Sequence, residues 1–269
     1  MKQKPHLLIL GGTSEAYRLA QSLAQPRAQS GSESILPRPL RLTTSLAGRT
    51  AQPRQPAGAL RQGGFGGVAG MVAYLIAEQV SAVVDATHPF AQTFGQNAAA
   101  ACAQAGVPLL RLDRPAWHPT PEDRWFPVAT WADALQTITD LGLRRPFLAI
   151  GRNELAAFAN QPQVRFVIRA VDDPGQTEAS FQQAFPQATV ILGRGPFALA
   201  EEQALLTQQG CDGVICKNAG GTAGAAKLAA ARALGLPVIL LTRPSRPAGT
   251  RVETLPEAER WVRDVLFAD

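Results

Sequence analysis

Residues 8–20 read L-I-L-G-G-T-S-E-A-Y-R-L-A: a short apolar run, two glycines, then a helical pattern without a break. A strand that turns on glycines straight into a helix is the opening of a parallel βαβ unit, and dinucleotide sites begin this way. The usual G-x-G-x-x-G is absent, because counting from Gly11 the second and third glycine positions hold Thr13 and Ala16. Read alone, the turn serves equally as a pyrophosphate cradle, with Thr13 and Ser14 adding hydroxyls, or as a capped helix start, since Ser14 is a good N-cap by itself.

The same alternation continues outward. His6–Leu10, Leu40–Thr44, Ala82–Asp85 and Val107–Arg111 read as strands, with helices over Ser14–Leu23, Gly70–Gln79 and Ala91–Gly106. Two Pro-, Gly- and Gln-rich stretches, 25–39 and 50–64, read as surface loops. A proline-rich crossing follows Arg111, and alternation then resumes. Strands are expected at Phe147–Ile150, Arg165–Val171, Val190–Leu192, Gly213–Cys216 and Val238–Thr242. Helices are expected over Trp131–Leu141, Leu199–Gln209, Ala223–Leu234 and Pro256–Phe267. The reading is α/β with two similar domains, each carrying a mostly parallel sheet. Residues 1–113 form the first, 114–130 a linker and 131–269 the second, and the last helix is free to pack back on the first domain.

At 269 residues and 46% hydrophobic, the chain can bury two such cores. Its net charge of +5 suits an acidic small molecule; no basic run or aromatic-rich basic strand marks a nucleic-acid surface. Three cysteines with no C-x-x-C spacing, and three histidines with no paired spacing, argue against a disulfide framework and against zinc. A buried, inert role is expected for Cys102. No apolar run of membrane-spanning length and no leader-like start is seen, so the expected compartment is cytoplasmic.

In open parallel sheets ligands bind beyond the carboxyl ends of the strands. The first three strands are followed by Gly11-Gly12-Thr13-Ser14-Glu15, by Ser45 to Arg49, and by Asp85-Ala86-Thr87-His88-Pro89-Phe90. An NAD site wants an acid at the end of the second strand for the ribose 2′-hydroxyl. Ser45 and Arg49 stand there instead, and arginine accommodates a 2′-phosphate, so the pair of loops favours NADPH. His88 sits where it could touch cofactor or substrate, or simply lock its loop, and no proton transfer is assigned to it. In the second half the strand ends bear Arg152, Arg194-Gly195 and Lys217-Asn218-Ala219-Gly220-Gly221. Singly these are ordinary surface charges; together they suggest a patch for a polyanion, with glycine amides sharing the task.

In this order, G-G-T-S-E-A, T-S-L-A-G-R-T, G-G-F-G-G, V-V-D-A-T-H-P-F-A, G-R-G-P-F and K-N-A-G-G resemble the precorrin-6A reductase family of cobalamin biosynthesis, from Leu8 to about Pro244. The resemblance implies two Rossmann-like domains with a cleft between them. It implies NADPH-dependent reduction of one double bond in precorrin-6A or its cobalt-bearing form, an anionic tetrapyrrole. By position, Gly11, Gly12, Thr13, Ser14 and Glu15 would lie at the cofactor pyrophosphate, and Ser45 and Arg49 near its adenosine phosphate. Thr87, His88 and Pro89 would lie near cofactor or ring. Arg152, Arg194, Gly195, Lys217, Asn218, Gly220 and Gly221 would meet the substrate, with Phe65, Phe90 or Phe197 against its apolar ring or in the core. The family pattern has serine where this chain has Ala219.

Three rivals share parts of this pattern. A short-chain dehydrogenase needs Y-x-x-x-K, but Gln21 follows Tyr17 and Glu78 follows Tyr74 at that spacing. A two-domain nucleotide-sugar glycosyltransferase would hold its nucleotide in the second domain. A non-catalytic redox sensor would bind NADPH and turn over nothing.

Overall fold

The computed structural model describes residues 4–24, 37, 39–48, 54–175 and 178–267. Along the chain, β1 (His6–Leu10), α1 (Ser14–Ala24), β2 (Arg41–Leu46), β3 (Ala59–Gln62), α2 (Gly67–Ala77), β4 (Ala82–Asp85), α3 (Gln92–Ala105) and β5 (Leu109–Leu112) come first. Then follow β6 (Trp125–Val128), α4 (Trp131–Asp140), β7 (Phe147–Ala149), a 3₁₀ segment (Arg152–Phe158), β8 (Val167–Ala170), α5 (Ala179–Ala184), β9 (Thr189–Leu192), α6 (Leu199–Gln208), β10 (Val214–Lys217), α7 (Ala226–Ala233) and β11 (Val238–Leu241). The series closes with β12 (Thr250–Val252) and α8 (Leu255–Phe267).

These elements make two compact units. The first comprises Met1–Pro115 and Pro244–Asp269, the second Ala116–Arg243. The boundaries differ from the expected 1–113, 114–130 and 131–269. Residues 116–130 belong to the second unit because β6 pairs in parallel with β11, and residues 244–269 belong to the first because β12 pairs with β5.

The first sheet runs β12-β5-β4-β1-β2-β3 with every pairing parallel. β1 is buried along its whole length because both faces are covered. Leu7 and Ile9 face α1 and α8, packing with Leu19, Ala20, Ala258 and Val262. Leu8 and Leu10 face α2 and α3, packing with Met71, Leu75, Ala98 and Cys102. That burial pushes the Cys102 thiol up to about 12, which keeps it protonated and inert. The second sheet runs β6-β11-β10-β7-β8-β9, again all parallel, around Phe147, Val167, Val214 and Val238. Each sheet has the doubly wound order, with the chain reversing direction across the sheet between β1 and β4 in one and between β7 and β10 in the other.

Three strands escaped the sequence reading. β3 lies inside the stretch read as a loop over 50–64. It is an edge strand of four residues, A-L-R-Q, only partly buried, with no apolar run to mark it. β6 contains Pro127, which an edge strand tolerates because one side of it makes no ladder bonds. β12 is three residues long. The loop expected over 25–39 falls largely outside the described residues. No helix among the described residues is long and apolar enough to cross a membrane.

Candidate active site

The turn after β1 is built by close packing. The Gly11 N–H donates to the Ser45 carbonyl at 2.9 Å, and a Cβ on Gly11 would meet the Thr44 methyl at 2.9 Å, so only glycine lets β1 leave the sheet so close to β2. Gly12 differs: its φ is +107° and, among the described residues, nothing lies within 4 Å of where a Cβ would stand. The cap of α1 is Thr13, whose Oγ1 accepts from the Ala16 N–H at 3.3 Å and donates to the Ala86 carbonyl at 2.6 Å. Ser14, the N-cap expected from the sequence, instead places its hydroxyl 3.5 Å from Glu15 Oε2. Glu15 is held by Arg114 at 2.6 Å. Among the described residues, the backbone N–H groups from Gly12 to Glu15 find no acceptor. An open, positive-φ glycine in front of unpaired amides at a helix start fits a pyrophosphate.

At the end of β2, Ser45 is buried and no acid stands beside it. Arg49 lies outside the described residues. In register with Ser45 on β3 is Arg61. Its Nη1 donates to Ser45 Oγ at 3.3 Å and to the Gly63 carbonyl at 2.6 Å, and its Nη2 to the Gly64 carbonyl at 2.8 Å. The guanidinium lies 3.7 Å from the centre of the Phe65 ring.

The turn after β4 is fixed by a buried carboxylate. Asp85 Oδ1 accepts from the Thr87 backbone N–H at 3.0 Å and from its hydroxyl at 2.6 Å. Arg246 Nη1 lies 3.1 Å and Arg111 Nε 3.5 Å from Asp85 Oδ2. Arg246 also donates through Nε to the Pro89 carbonyl at 3.1 Å and through Nη2 to the His88 carbonyl. Burial lowers the Arg246 pKa, and the Asp85 charge opposes that shift. His88 Nδ1 accepts from the Phe90 N–H at 3.3 Å, so the neutral ring carries its proton on Nε2.

In the second unit, Arg152 and Arg194 are exposed after β7 and β9 and, among the described residues, form no ion pair, while Gly195 is exposed beside Arg194. Lys217 differs from them: its ammonium is bonded to Glu154, whose other carboxylate oxygen accepts from the Gly151 N–H at 2.8 Å. The cationic surplus of the expected three-residue patch therefore rests on the two arginines. Asn218 uses both ends of its amide on the Trp117 backbone, accepting at 2.9 Å and donating at 3.0 Å. Trp117 Nε1 donates to the Gly221 carbonyl at 2.7 Å, and Arg243 donates to the carbonyls of Asn218 and Ala219. Gly220 and Gly221 follow in succession at φ +68° and +69°, a left-handed pair that side chains disfavour. Phe65, Phe90 and Phe197 are all half-buried at strand-end loops, and Phe65 also packs against the core face of Leu8, Leu10 and Met71.

Arg61, Arg246, Arg243 and Trp117 were missed as site-building residues. Asp85 gave a signal, since an acid closing an apolar strand needs a buried partner. Nothing local points to Arg246, 161 residues away.

Fold and turns together define a class: a two-unit doubly wound α/β protein with glycine turns at the switch point of its first sheet and on the β10 loop of its second. Residues 6–263 match the family described as precorrin-6x reductase CbiJ/CobK, and the chain belongs to that family. It is 44% identical over 257 residues to the precorrin-6A reductase of Rhodococcus erythropolis, covering 95% of this chain and 96% of that one. It is 43% identical to the Rhodobacter capsulatus precorrin-6A reductase, over 96% of each chain. The cobalt-precorrin-6A reductase of Priestia megaterium is 31% identical over 66% of this chain. A solved structure described as CobK precorrin-6A reductase superposes with a TM-score of 0.85 at 43% identity, covering 97% of each chain.

Proposed function

We propose that this chain reduces one double bond of the metal-free precorrin-6A macrocycle, with NADPH as reductant. The reading rests on the first turn: among the described residues nothing fills the space at Gly12 and the amides from Gly12 to Glu15 lack acceptors, and the neighbouring strand ends in Ser45 rather than an acid. The corresponding turn of the second unit is less suited to a pyrophosphate, because the Gly151 N–H is already taken by the Glu154 carboxylate. The metal-free ring is favoured because the relatives matched over full length at 43–44% identity carry the precorrin-6A name, and the cobalt-named relative is more distant.

NADPH supplies a hydride when bound, and a proton completes the reduction at the neighbouring ring carbon. The chain's own residues bind and orient. Gly11 brings the backbone close and Gly12 to Glu15 present amides to the pyrophosphate. Ser45 stands at the end of β2, and Ser45 and Arg49 are assigned to the adenosine phosphate. Thr87, His88 and Pro89, rigidly held by Asp85 and Arg246, lie at the reacting end, where fixed geometry lowers the entropic part of the barrier. Arg152 and Arg194 attract the ring's carboxylates. Lys217, Gly195, Gly220 and Gly221 line the same side, and Asn218 shapes the loop through Trp117.

The test is anaerobic: NADPH oxidation and the macrocycle spectrum are followed together with metal-free or cobalt-bearing precorrin-6A. Turnover of the metal-free ring is expected. NADPH binding with no spectral change in either ring sinks the reductase reading and leaves a redox sensor.

A further inference from the structure

We infer that Arg61 is the residue by which this protein distinguishes a phosphorylated from an unphosphorylated adenosine ribose. The inference rests on the NADPH reading above and adds a determinant beyond Ser45 and Arg49.

The position comes first. Arg61 is the register partner of Ser45, so its Cα stands beside the end of β2, where this sheet order brings the adenosine ribose. The second observation is how the guanidinium is spent. Its five N–H groups form two edges and one single donor. Nη1 and Nη2 grip the successive carbonyls of Gly63 and Gly64, and the remaining Nη1 hydrogen faces Ser45 Oγ. What remains is the edge made by Nε–H and the second Nη2 hydrogen, two parallel donors with no acceptor among the described residues. That edge is the fork that binds a phosphate through two charge-assisted hydrogen bonds.

The third observation is preorganisation. One face of the guanidinium is held against Phe65 at 3.7 Å and Tyr74 lies 5.1 Å from it. Phe65 is itself packed edge-on against Tyr74 at 5.2 Å. Gly70 secures the arrangement, because a Cβ there would overlap the Phe65 carbonyl oxygen at 1.8 Å. The arginine is therefore fixed at three carbonyl or hydroxyl oxygens and one ring, with its unused edge preset. A cation so held loses little side-chain entropy on binding. The sequence has no acid from Arg41 to Gly64, and among the described residues no carboxylate neutralises the fork.

The experiment reads binding alone, without tetrapyrrole. Dissociation constants for NADPH, NADH, 2′,5′-ADP and 5′-AMP are measured by calorimetry for the wild type, Arg61→Gln and Arg61→Lys, with melting curves for each. Loss of a charge-assisted pair predicts that Arg61→Gln weakens NADPH and 2′,5′-ADP about 10- to 100-fold and leaves NADH and 5′-AMP within about twofold. Arg61→Lys keeps the charge but not the fork and should fall between. If Arg61→Gln does not fold, the lysine variant decides by the same ratio. Equal weakening of phosphorylated and unphosphorylated ligands, or no change in either, overturns the assignment and leaves Arg61 a latch on the Gly63–Phe65 turn. Wild-type protein that binds neither dinucleotide overturns the NADPH reading itself, and this one with it.

Discussion

Arg246 Nη1 lies 3.1 Å from Asp85 Oδ2 in a site where both side chains are almost wholly excluded from water. The pair joins the returning chain to the end of β4. Its carboxylate also holds Thr87, and its guanidinium the carbonyls of His88 and Pro89. Removing the Arg246 guanidinium leaves the buried carboxylate with Arg111 alone, whose Nε is 3.5 Å away. Arg246→Met is expected to lose about 3–5 kcal/mol in urea unfolding. Asp85→Leu leaves two buried guanidinium groups, Arg246 and Arg111, without their carboxylate and should cost at least as much. A single variant as stable as wild type would mean that water already reaches the pair.

The two glycines of the first turn should fail in different ways. Gly11→Ala drives a methyl toward Thr44 in the core and should cost about 1–3 kcal/mol of stability. Gly12→Ala meets no atom, and its cost is the strain of a φ of +107°, about 1–3 kcal/mol. Only at Gly12 does the added methyl occupy the open approach to the amides, so the NADPH dissociation constant should rise at least about tenfold more than in Gly11→Ala. Thermal melts with parallel calorimetry separate the two effects.

Arg152 and Arg194 should act on the substrate as charges rather than as fixed contacts, since both are exposed. Arg152→Ala and Arg194→Ala are each expected to raise KM for the tetrapyrrole about two- to fivefold with kcat little altered. The effect should shrink in about 0.5 M salt, where the Debye length is only a few ångströms. A steady-state salt series checks this; a loss confined to kcat would contradict it.

His6 gives the fold a pH dependence. It is buried at the opposite end of β1 from the site, with Nδ1 2.8 Å from the Glu78 carbonyl and Nε2 2.8 Å from Thr43 Oγ1. A carbonyl only accepts, so Nδ1 carries the proton and Nε2 accepts from the threonine; the neutral ring is fully satisfied. Burial is the main force lowering its pKa below 6.5. The unfolded chain then binds a proton that the folded chain refuses. Stability is complete above pH 6.5 and is lost as pH falls from there toward the lower folded value. Urea unfolding at pH 7.5 and 5.5 should show this loss in the wild type and a flatter response in His6→Gln.

Much of the fold was legible because β1, β4, β10 and β11 are buried on both faces and read as continuous apolar runs bounded by turns. The edges were not legible. A-L-R-Q, W-F-P-V and T-R-V are half-solvated strands whose partners, not their composition, make them strands. The site divides in the same way. Glycines and hydroxyls at strand ends announced the loops, because a turn of that kind has few solutions. What holds the loops was hidden. Arg246 reaches Asp85, and Trp117 reaches Asn218, across more than a hundred residues, and no local pattern encodes a partner at that distance. Lys217 misled for the complementary reason: Glu154, which neutralises it, is 63 residues earlier.

The first unit is interrupted by the second, and this sets an order on the ribosome. Ala258 and Val262 of α8 complete the core that Leu7, Ile9 and Leu19 begin, yet they emerge after all of residues 116–243. At about 5–20 residues per second the opening strand waits roughly 10–50 s for them. By the end of that interval the second unit has every strand of its own sheet, while the first still exposes one apolar face and the unpaired edge of β5. The nascent chain thus matures from its middle outward, and its amino-terminal half is the part that most needs chaperone cover.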